Sequence, residues 1–285
     1  MRRIFGFLIF SAALVALAGG GYAWYCVLRA QQFVKEEVPA AVDFKAASQN
    51  SLPNISAKIL PATLPSALPS SLNLQMDFYA QAPNGNWDYP WQEACEEASV
   101  LLTANTYLQH HWSRAEFTDE ILRLVDWENR RFGDYRHTTV AQTAQIFSDY
   151  LGLRTVIHAN PGYDEVRRIL ARGHFIVMPF AGKELHNPNY RNGGPVYHMM
   201  VVKGYKEGRS AGAGGDASAG AGSGASAGAG SGSGGSGGKI ITNDVGTRNG
   251  ADYVYTWQTI QNALHDYVDP IDNGAKSIIE VIPPS

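Results

Sequence analysis

The chain has 285 residues, of which 45% are hydrophobic and 17% are charged, and its formal net charge is -3. This length and composition are sufficient for one large domain or two small ones. The arginines and lysines are scattered and form no basic block, so the composition excludes a protein built to bind the phosphate backbone of nucleic acid.

The N-terminus carries an apolar segment. Arg2 and Arg3 precede an uncharged run over residues 4–28, which is long enough to cross a bilayer as a helix. Small residues at 16–18 also resemble a signal-peptide cleavage site, but the apolar run continues beyond them. The pattern predicts a membrane anchor or signal segment over 1–30. The expected localisation is the cell membrane, single-pass with the domain outside the cytoplasm, or secretion if the leader is cleaved.

Two low-complexity segments indicate the domain organisation. Residues 31–71 are rich in Pro, Ala and Ser and predict an extended spacer. Residues 210–238 contain almost only Gly, Ser and Ala and predict a disordered insertion, since they bury too little to offset their ordering entropy. The insertion separates two strand-like runs, which favours a hairpin tip. A boundary between two domains is the alternative, but it leaves too short a C-terminal core. One domain over 72–285 is expected.

Within this domain, predicted helices precede predicted strands. A helix begins at Cys95 and is apolar on most sides, which is typical of a central buried helix. Further helices are expected over 118–129, 138–152 and 163–173, and a short one over 258–266. The strand-like runs are "HFIVMPF", "VYHMMVVKGY", "KIITND", "DYVYTW" and "SIIEVI". This order predicts an α+β fold, in which a helical lobe packs against an antiparallel sheet.

Cys95 is the only cysteine outside the N-terminal segment, so no disulfide framework is possible. The amide groups and dipole of a helix N-terminus lower the pKa of a thiol, whereas Glu96 and Glu97 oppose that effect. A nucleophilic Cys95 would therefore need a cationic histidine partner. The alternative is a structural cysteine that acts as a small buried hydrophobe.

His198 differs from the other histidines because it heads an apolar strand. His110 and His111 lie at the far end of the helix, on the order of 20 Å from its start. Asp244 ends the next strand, and hairpin pairing would bring it near His198. Asn243 is a rival, because neighbouring strand residues point to opposite faces. A structural role for His198 also stays open.

Three stretches of the chain carry a resemblance to a known family. They are "FYAQAPNGNWDYPWQEACEEAS", "GGPVYHMMVVKGY" and "ITNDVGTRNGADYVYTW". Together they resemble stand-alone cysteine peptidases related to bacteriocin-processing (double-glycine leader) peptidases, the C-thirty-nine-like family. The resemblance runs from about residue 78 to residue 282, apart from the insertion, and implies a papain-like fold.

The resemblance also implies roles for individual residues. It implies Cys95 as nucleophile, His198 as general base and then acid, and Asp244 as the residue that holds the imidazole. Gln81 is implied as an oxyanion donor, with Gln92 as a second candidate. No metal and no organic cofactor are implied.

Two positions depart from the family pattern. Glu96 stands where the parent family, the leader-cleaving domains of peptide-exporting ABC transporters, has Gly, which adds charge beside the nucleophile. Val245 stands where these proteins commonly have Pro, which could loosen the turn after Asp244.

The predicted function is an exported, membrane-anchored cysteine peptidase that hydrolyses peptide bonds. Its expected partners are a peptide or protein substrate and the membrane through the N-terminal helix, and no nucleic acid. The alternatives are a catalytically silent cell-surface binding domain with the same fold, or a thiol acyltransferase. The natural substrate and the oligomeric state do not follow from the sequence.

Overall fold

The computed structural model describes residues 35–51, 68–208 and 237–284. The chain divides into two compact units, residues 1–37 and 38–285, and every helix and strand described below belongs to the second. The predicted anchor or signal segment over 1–30 lies outside the described residues. So does nearly all of the predicted disordered insertion over 210–238.

The predicted membrane localisation is overturned by the helices that the structure describes. Over 35–51, 68–208 and 237–284, none is both long enough and apolar enough to cross a bilayer. The longest of them, Arg114–Phe132, is amphipathic and buries only one face.

Helices and strands follow one another along the body in a mixed order. The α-helices are α1 (Phe44–Ser51), α2 (Cys95–Tyr107), α3 (Arg114–Phe132), α4 (Val140–Gln145), α5 (Tyr163–Ala171) and α6 (Trp257–Ala263). The strands are β1 (Ser71–Asn73), β2 (Arg154–Ala159), β3 (Phe175–Ala181), β4 (Tyr197–Lys206), β5 (Lys239–Asn243), β6 (Tyr253–Thr256) and β7 (Ser277–Ile282). A π-helical turn, Ile146–Tyr150, continues α4.

The strands form one antiparallel sheet in the order β2-β7-β3-β4-β5-β6, and β1 pairs with the end of β4. A helical part with an antiparallel sheet confirms the predicted fold class at that level. Lys206 lies opposite Lys239, so the strands on either side of the 210–238 segment pair directly, as the hairpin prediction requires.

Helix α2 packs along β4 in the centre of the molecule. Leu101 and Leu102 are fully buried, and each such burial contributes about 1.5–3 kcal/mol. The Ser99 hydroxyl lies 3.2 Å from the Met199 carbonyl oxygen and hydrogen-bonds to it. This packing places the N-terminus of α2, where Cys95 lies, beside the first residues of β4.

Two helices begin at positions other than those predicted. Helix α3 begins at Arg114, because Ser113 and Glu116 form a reciprocal capping box there. The Thr118 hydroxyl bonds the Arg114 carbonyl oxygen inside the helix instead of capping it. Helix α4 begins one residue after Thr139, which forms a second capping box.

The structure contains three elements that the sequence patterns did not predict, the short strand β1, strand β2 and helix α1. Strand β2 is a largely exposed edge strand without a continuous apolar run. Helix α1 lies within the segment predicted to be an extended spacer, and its Phe44 is buried at 4.9 Å from the Tyr107 ring and 6.4 Å from the Phe175 ring. Part of that segment therefore packs on the body, and the domain boundary at residue 72 stays a prediction.

Candidate active site

A cleft of about 270 Å³ lies at the N-terminus of α2. This volume is near the lower end of small-ligand sites. Its walls come from the loop before α2, the loop before β4 and the loop after β5. The lining residues are Gln81, Trp87, Gln92, Cys95, Asn189, Tyr190, Arg191, Pro195, Tyr197, His198, Gly246, Thr247 and Arg248.

Cys95 is the first residue of α2 and faces the cleft with 5% of its surface exposed. Its thiol donates a hydrogen bond to Glu96 Oε2 at 2.9 Å. Burial, the Glu96 charge and this hydrogen bond raise the pKa of the thiol well above its ordinary value, whereas the Met199 amide lowers it. The thiol in this conformation is protonated and points to Glu96, not to a histidine.

His198 and Asp244 form a buried pair. The imidazole Nε2 lies 2.9 Å from Asp244 Oδ1, and the side chains are 1% and 0% exposed. Asn243 faces elsewhere, since its amide donates to the Asp77 carbonyl at 3.3 Å. Of the two rivals for the imidazole, the structure brings Asp244 to it. The Nδ1 atom of His198 is then free to face the cleft.

Asp244 is held by more donors than His198 alone. Burial would raise the pKa of its carboxyl, but the charge and hydrogen bond of His198, followed by the tyrosine hydrogen bonds, lower the pKa overall. No sequence pattern indicates these additional donors, which come from two loops and from β6. They are Asn187 Nδ2 at 2.9 Å, Tyr190 Oη at 2.7 Å, Tyr255 Oη at 2.6 Å and the Gly246 amide at 3.0 Å.

The turn after Asp244 packs directly on the imidazole. A Cβ atom at Gly246 would lie 2.8 Å from His198 Cε1, so no larger residue fits without displacing the ring. Val245 is fully buried and its carbonyl oxygen accepts a hydrogen bond from the backbone N–H of Gln81 at 2.9 Å. The turn is therefore tied down on both sides although valine stands in place of proline.

Both candidate oxyanion donors reach the cleft. Gln81 Nε2 donates to the carbonyl oxygens of Trp91 and Gln92 at 2.9 and 3.0 Å. Gln81 therefore braces the turn before Cys95 and must release one of these bonds to serve an oxyanion. Gln92 is exposed, and its amide donates to Glu93 at 3.2 Å. The Cys95 N–H is a further donor, since the first amide of a helix has no acceptor within that helix.

The three aromatic residues before Cys95 have different surroundings. Trp87 lines the cleft. Trp91 packs partly buried against the core, and Tyr89 is 62% exposed. Of the three, only Trp87 is positioned to contact a ligand in the cleft.

Next to Cys95 lies a group of fully buried carboxyls, Glu96, Glu97 and Glu128. When Glu97 and Glu128 are both ionised, none of their four carboxylate oxygens has a hydrogen-bond donor. A proton on Glu97 turns it into a donor to Glu128. Burial raises the pKa of Glu96 to about 7 and that of Glu128 to about 8, and raises that of Glu97 strongly. The sequence pattern predicts Glu96 and Glu97 as acidic residues at a helix N-terminus, and their complete burial is a correction to the solvated position expected there.

In the part of the chain that the structure describes, no group of three or more His, Cys, Asp and Glu side chains is arranged to hold a metal ion.

Comparison with known proteins adds little to this geometry. No family model and no curated protein matches the chain. Among solved structures, a crystal structure of a "putative C39-like peptidase" from Bacillus anthracis is similar, with 12% sequence identity and a TM-score of 0.42. The likeness covers 73% of this chain and 95% of that chain. At this distance it carries no argument about the activity of this chain.

Proposed function

We propose that this chain is a papain-like cysteine peptidase that hydrolyses peptide bonds. One observation carries the proposal. His198, which is hydrogen-bonded to the buried Asp244 at 2.9 Å, lines the same cleft as Cys95. A nucleophile, a base and a group that orients the base are the parts that thiol catalysis needs. The motif resemblance around the same residues supports the same reaction.

In the proposed mechanism, the Cys95 thiol passes its proton to His198 and the thiolate attacks the scissile carbonyl carbon. The Cys95 N–H and the Gln81 or Gln92 amide donate hydrogen bonds to the resulting oxyanion. The C–N bond then breaks as His198 returns the proton to the leaving amine. Water, deprotonated by His198, hydrolyses the thioester and releases the second product as an acid. Asp244 holds the tautomer of His198 throughout.

The thiol must first change its hydrogen-bond partner. In the structure it donates to Glu96 Oε2 at 2.9 Å, so rotation about the Cα–Cβ bond of Cys95 precedes proton transfer to His198. The conformation described here is thus a resting state of the proposed enzyme.

The proposal is tested with the full chain, its Cys95→Ala variant and its His198→Ala variant, each incubated with a peptide library and analysed by mass spectrometry. The wild type should cleave a subset of peptides, and both variants should cleave none of them above background. Far-ultraviolet circular dichroism checks that the variants fold. Cleavage that persists in folded Cys95→Ala protein contradicts the proposal.

One observation favours a second candidate, a catalytically silent binding domain. The thiol bonds to Glu96 and its pKa is raised, which is the state of an inert buried cysteine. Alkylation of Cys95 measured against pH separates the two. A single rise at or above the free-thiol pKa of ~8.5 favours the silent domain. A reactive plateau at lower pH that disappears in His198→Ala protein favours the peptidase. Products formed with an added amine distinguish acyl transfer from hydrolysis.

A further inference from the structure

The charged side chains that line the cleft are unusual in sign. The chain contains 26 acidic and 23 basic Asp, Glu, Lys and Arg residues. Yet the described lining residues include no Asp or Glu, and the two with a permanent charge are Arg191 and Arg248. The exposed permanent charges that a ligand in this cleft meets are therefore positive, against the net charge of the whole protein.

Both arginines are available to a ligand. They are exposed, and neither guanidinium has an ion pair with the residues described over 35–51, 68–208 and 237–284. Elsewhere on the surface, Arg131, Arg136 and Arg172 each contact a carboxylate. The guanidinium groups of Arg191 and Arg248 are therefore available to bind a carboxylate through two parallel hydrogen bonds.

The loops that carry these arginines are tied to the His198–Asp244 pair. Arg191 directly follows Tyr190, whose hydroxyl bonds Asp244 at 2.7 Å. Arg248 lies in the turn that begins at Asp244, and the next residue, Asn249, donates to Asn189 Oδ1 at 3.0 Å. The two loops are thus joined to each other and to the pair, and the guanidiniums start from fixed positions beside the cleft.

We propose that the substrates of this site are acidic peptides, with Asp or Glu side chains flanking the scissile bond, and that Arg191 and Arg248 determine this specificity. The inference rests on the proposed peptidase function and adds its substrate class. Because the arginines are exposed, each should contribute modestly, about two- to five-fold in kcat/KM for an acidic over a neutral peptide. Salt should weaken the preference, since the charges are screened by ions in solvent.

The first test compares matched peptides that carry Glu, Gln or Lys at the positions flanking one cleavage site. The wild type should cleave them in the order Glu, Gln, Lys, and the Glu-to-Gln ratio should fall toward one in Arg191→Gln and Arg248→Gln proteins and further in the double variant. Arg168→Gln, which removes an exposed arginine of α5 outside the cleft lining, is the matched control and should leave the ratio unchanged. Equal cleavage of the Glu and Gln peptides by the wild type overturns the inference but leaves the peptidase function standing.

The second test does not require turnover. The rate of Cys95 alkylation by anionic iodoacetate is divided by the rate with neutral iodoacetamide in the full chain. Cys26, the other cysteine of the sequence, is followed in the same digest as an internal reference. The ratio at Cys95 should fall about two- to five-fold per arginine replaced and should not change in Arg168→Gln protein. A ratio that is the same in wild type and double variant contradicts the inference, whether or not any peptide is cleaved.

Discussion

Two buried acidic sites in this protein have opposite protonation behaviour. Asp244, beside His198, is fully buried, yet its pKa is lowered. Glu96, Glu97 and Glu128, next to Cys95, are equally buried, and their pKa values are raised. The comparison shows that burial does not decide the charge of a carboxyl. The donors around it do.

The donors differ in number and in kind. Asp244 accepts hydrogen bonds from an imidazole, two tyrosines, an asparagine amide and a backbone amide. The side-chain donor to Glu96 Oε2 is a thiol, which is a weak donor, and Glu96 Oε1 has no hydrogen-bond partner. Asp244 is therefore kept as an anion that can orient an imidazolium, whereas protons are retained among the three glutamates at neutral pH.

Removing the anion is the strongest way to test this contrast. In Asp244→Ala protein, His198 loses its acceptor and several buried donors lose theirs, so the free energy of unfolding should fall by about 3–5 kcal/mol. If the proposed peptidase function holds, peptide hydrolysis should fall by about 10²–10⁴-fold, since the imidazole is no longer held in one tautomer. Urea unfolding and initial rates measure the two effects.

Tyr255→Phe removes a single donor from the same carboxylate and serves as the graded control. Its cost should be only about 1–3 kcal/mol. If Asp244→Ala costs no more than Tyr255→Phe, the ionic pair does not make the contribution that the comparison assigns to it.

The glutamate site should respond to pH in the opposite sense to Asp244. Burial raises the pKa of Glu128 from 4.5 to about 8. The contribution of its protonated carboxyl to the free energy of unfolding is therefore fully present below about pH 4.5 and is lost as pH rises through about 8. Glu128→Gln carries no charge at any pH. The variant should match the wild type at about pH 5, and at about pH 9 it should be more stable by on the order of 2–4 kcal/mol.

Chemical unfolding at the two pH values measures this difference. Asp119→Asn is the control, because Asp119 is exposed on the same helix, and it should change stability by less than about 0.5 kcal/mol at either pH. A Glu128→Gln protein that is less stable than the wild type at about pH 9 would mean that the carboxyl is not a protonated buried group. Asp244 contributes to stability in the reverse direction. Because its pKa is lowered, the ionised carboxyl stabilises the folded protein at neutral pH, and this stabilisation is lost only when the pH falls below the ordinary pKa of an aspartate.

The two sites also differ in how far the sequence could predict them. The contact between His198 and Asp244 follows from two adjacent strands that pair as a hairpin, and strand alternation leaves only one of Asn243 and Asp244 facing the imidazole. Their catalytic roles stay predictions. The other donors to Asp244 lie at positions 187, 190 and 255, and no local pattern connects residues that meet only through tertiary packing.

The burial of Glu96 and Glu97 could not be predicted for a different reason. Acidic residues in the first turn of a helix are normally solvated, because they complement the helix dipole. Here α2 is central, so its first turn is covered as well, and Glu96 and Glu97 are both fully buried. The apolar character of α2 on most sides did predict its burial, but not that the burial extends to its charged N-terminus.

The smallest expected effect concerns the hydrogen bond that links the glutamate site to Cys95. After burial, the Glu96 charge is the largest contribution that raises the pKa of the thiol. In Glu96→Gln protein this charge is gone, although the amide oxygen can still accept the S–H proton. The pKa of Cys95 should fall, and its alkylation by iodoacetamide near neutral pH should become roughly three- to ten-fold faster, since tenfold corresponds to one pKa unit.

Mass spectrometry of the digested full chain measures the rate at Cys95. The control is Glu93→Gln, which removes a more distant carboxylate of the preceding turn and should have a smaller effect. A rate that stays unchanged or falls in Glu96→Gln protein would mean that desolvation alone keeps the thiol protonated, and the glutamate site would then have no influence on the candidate nucleophile.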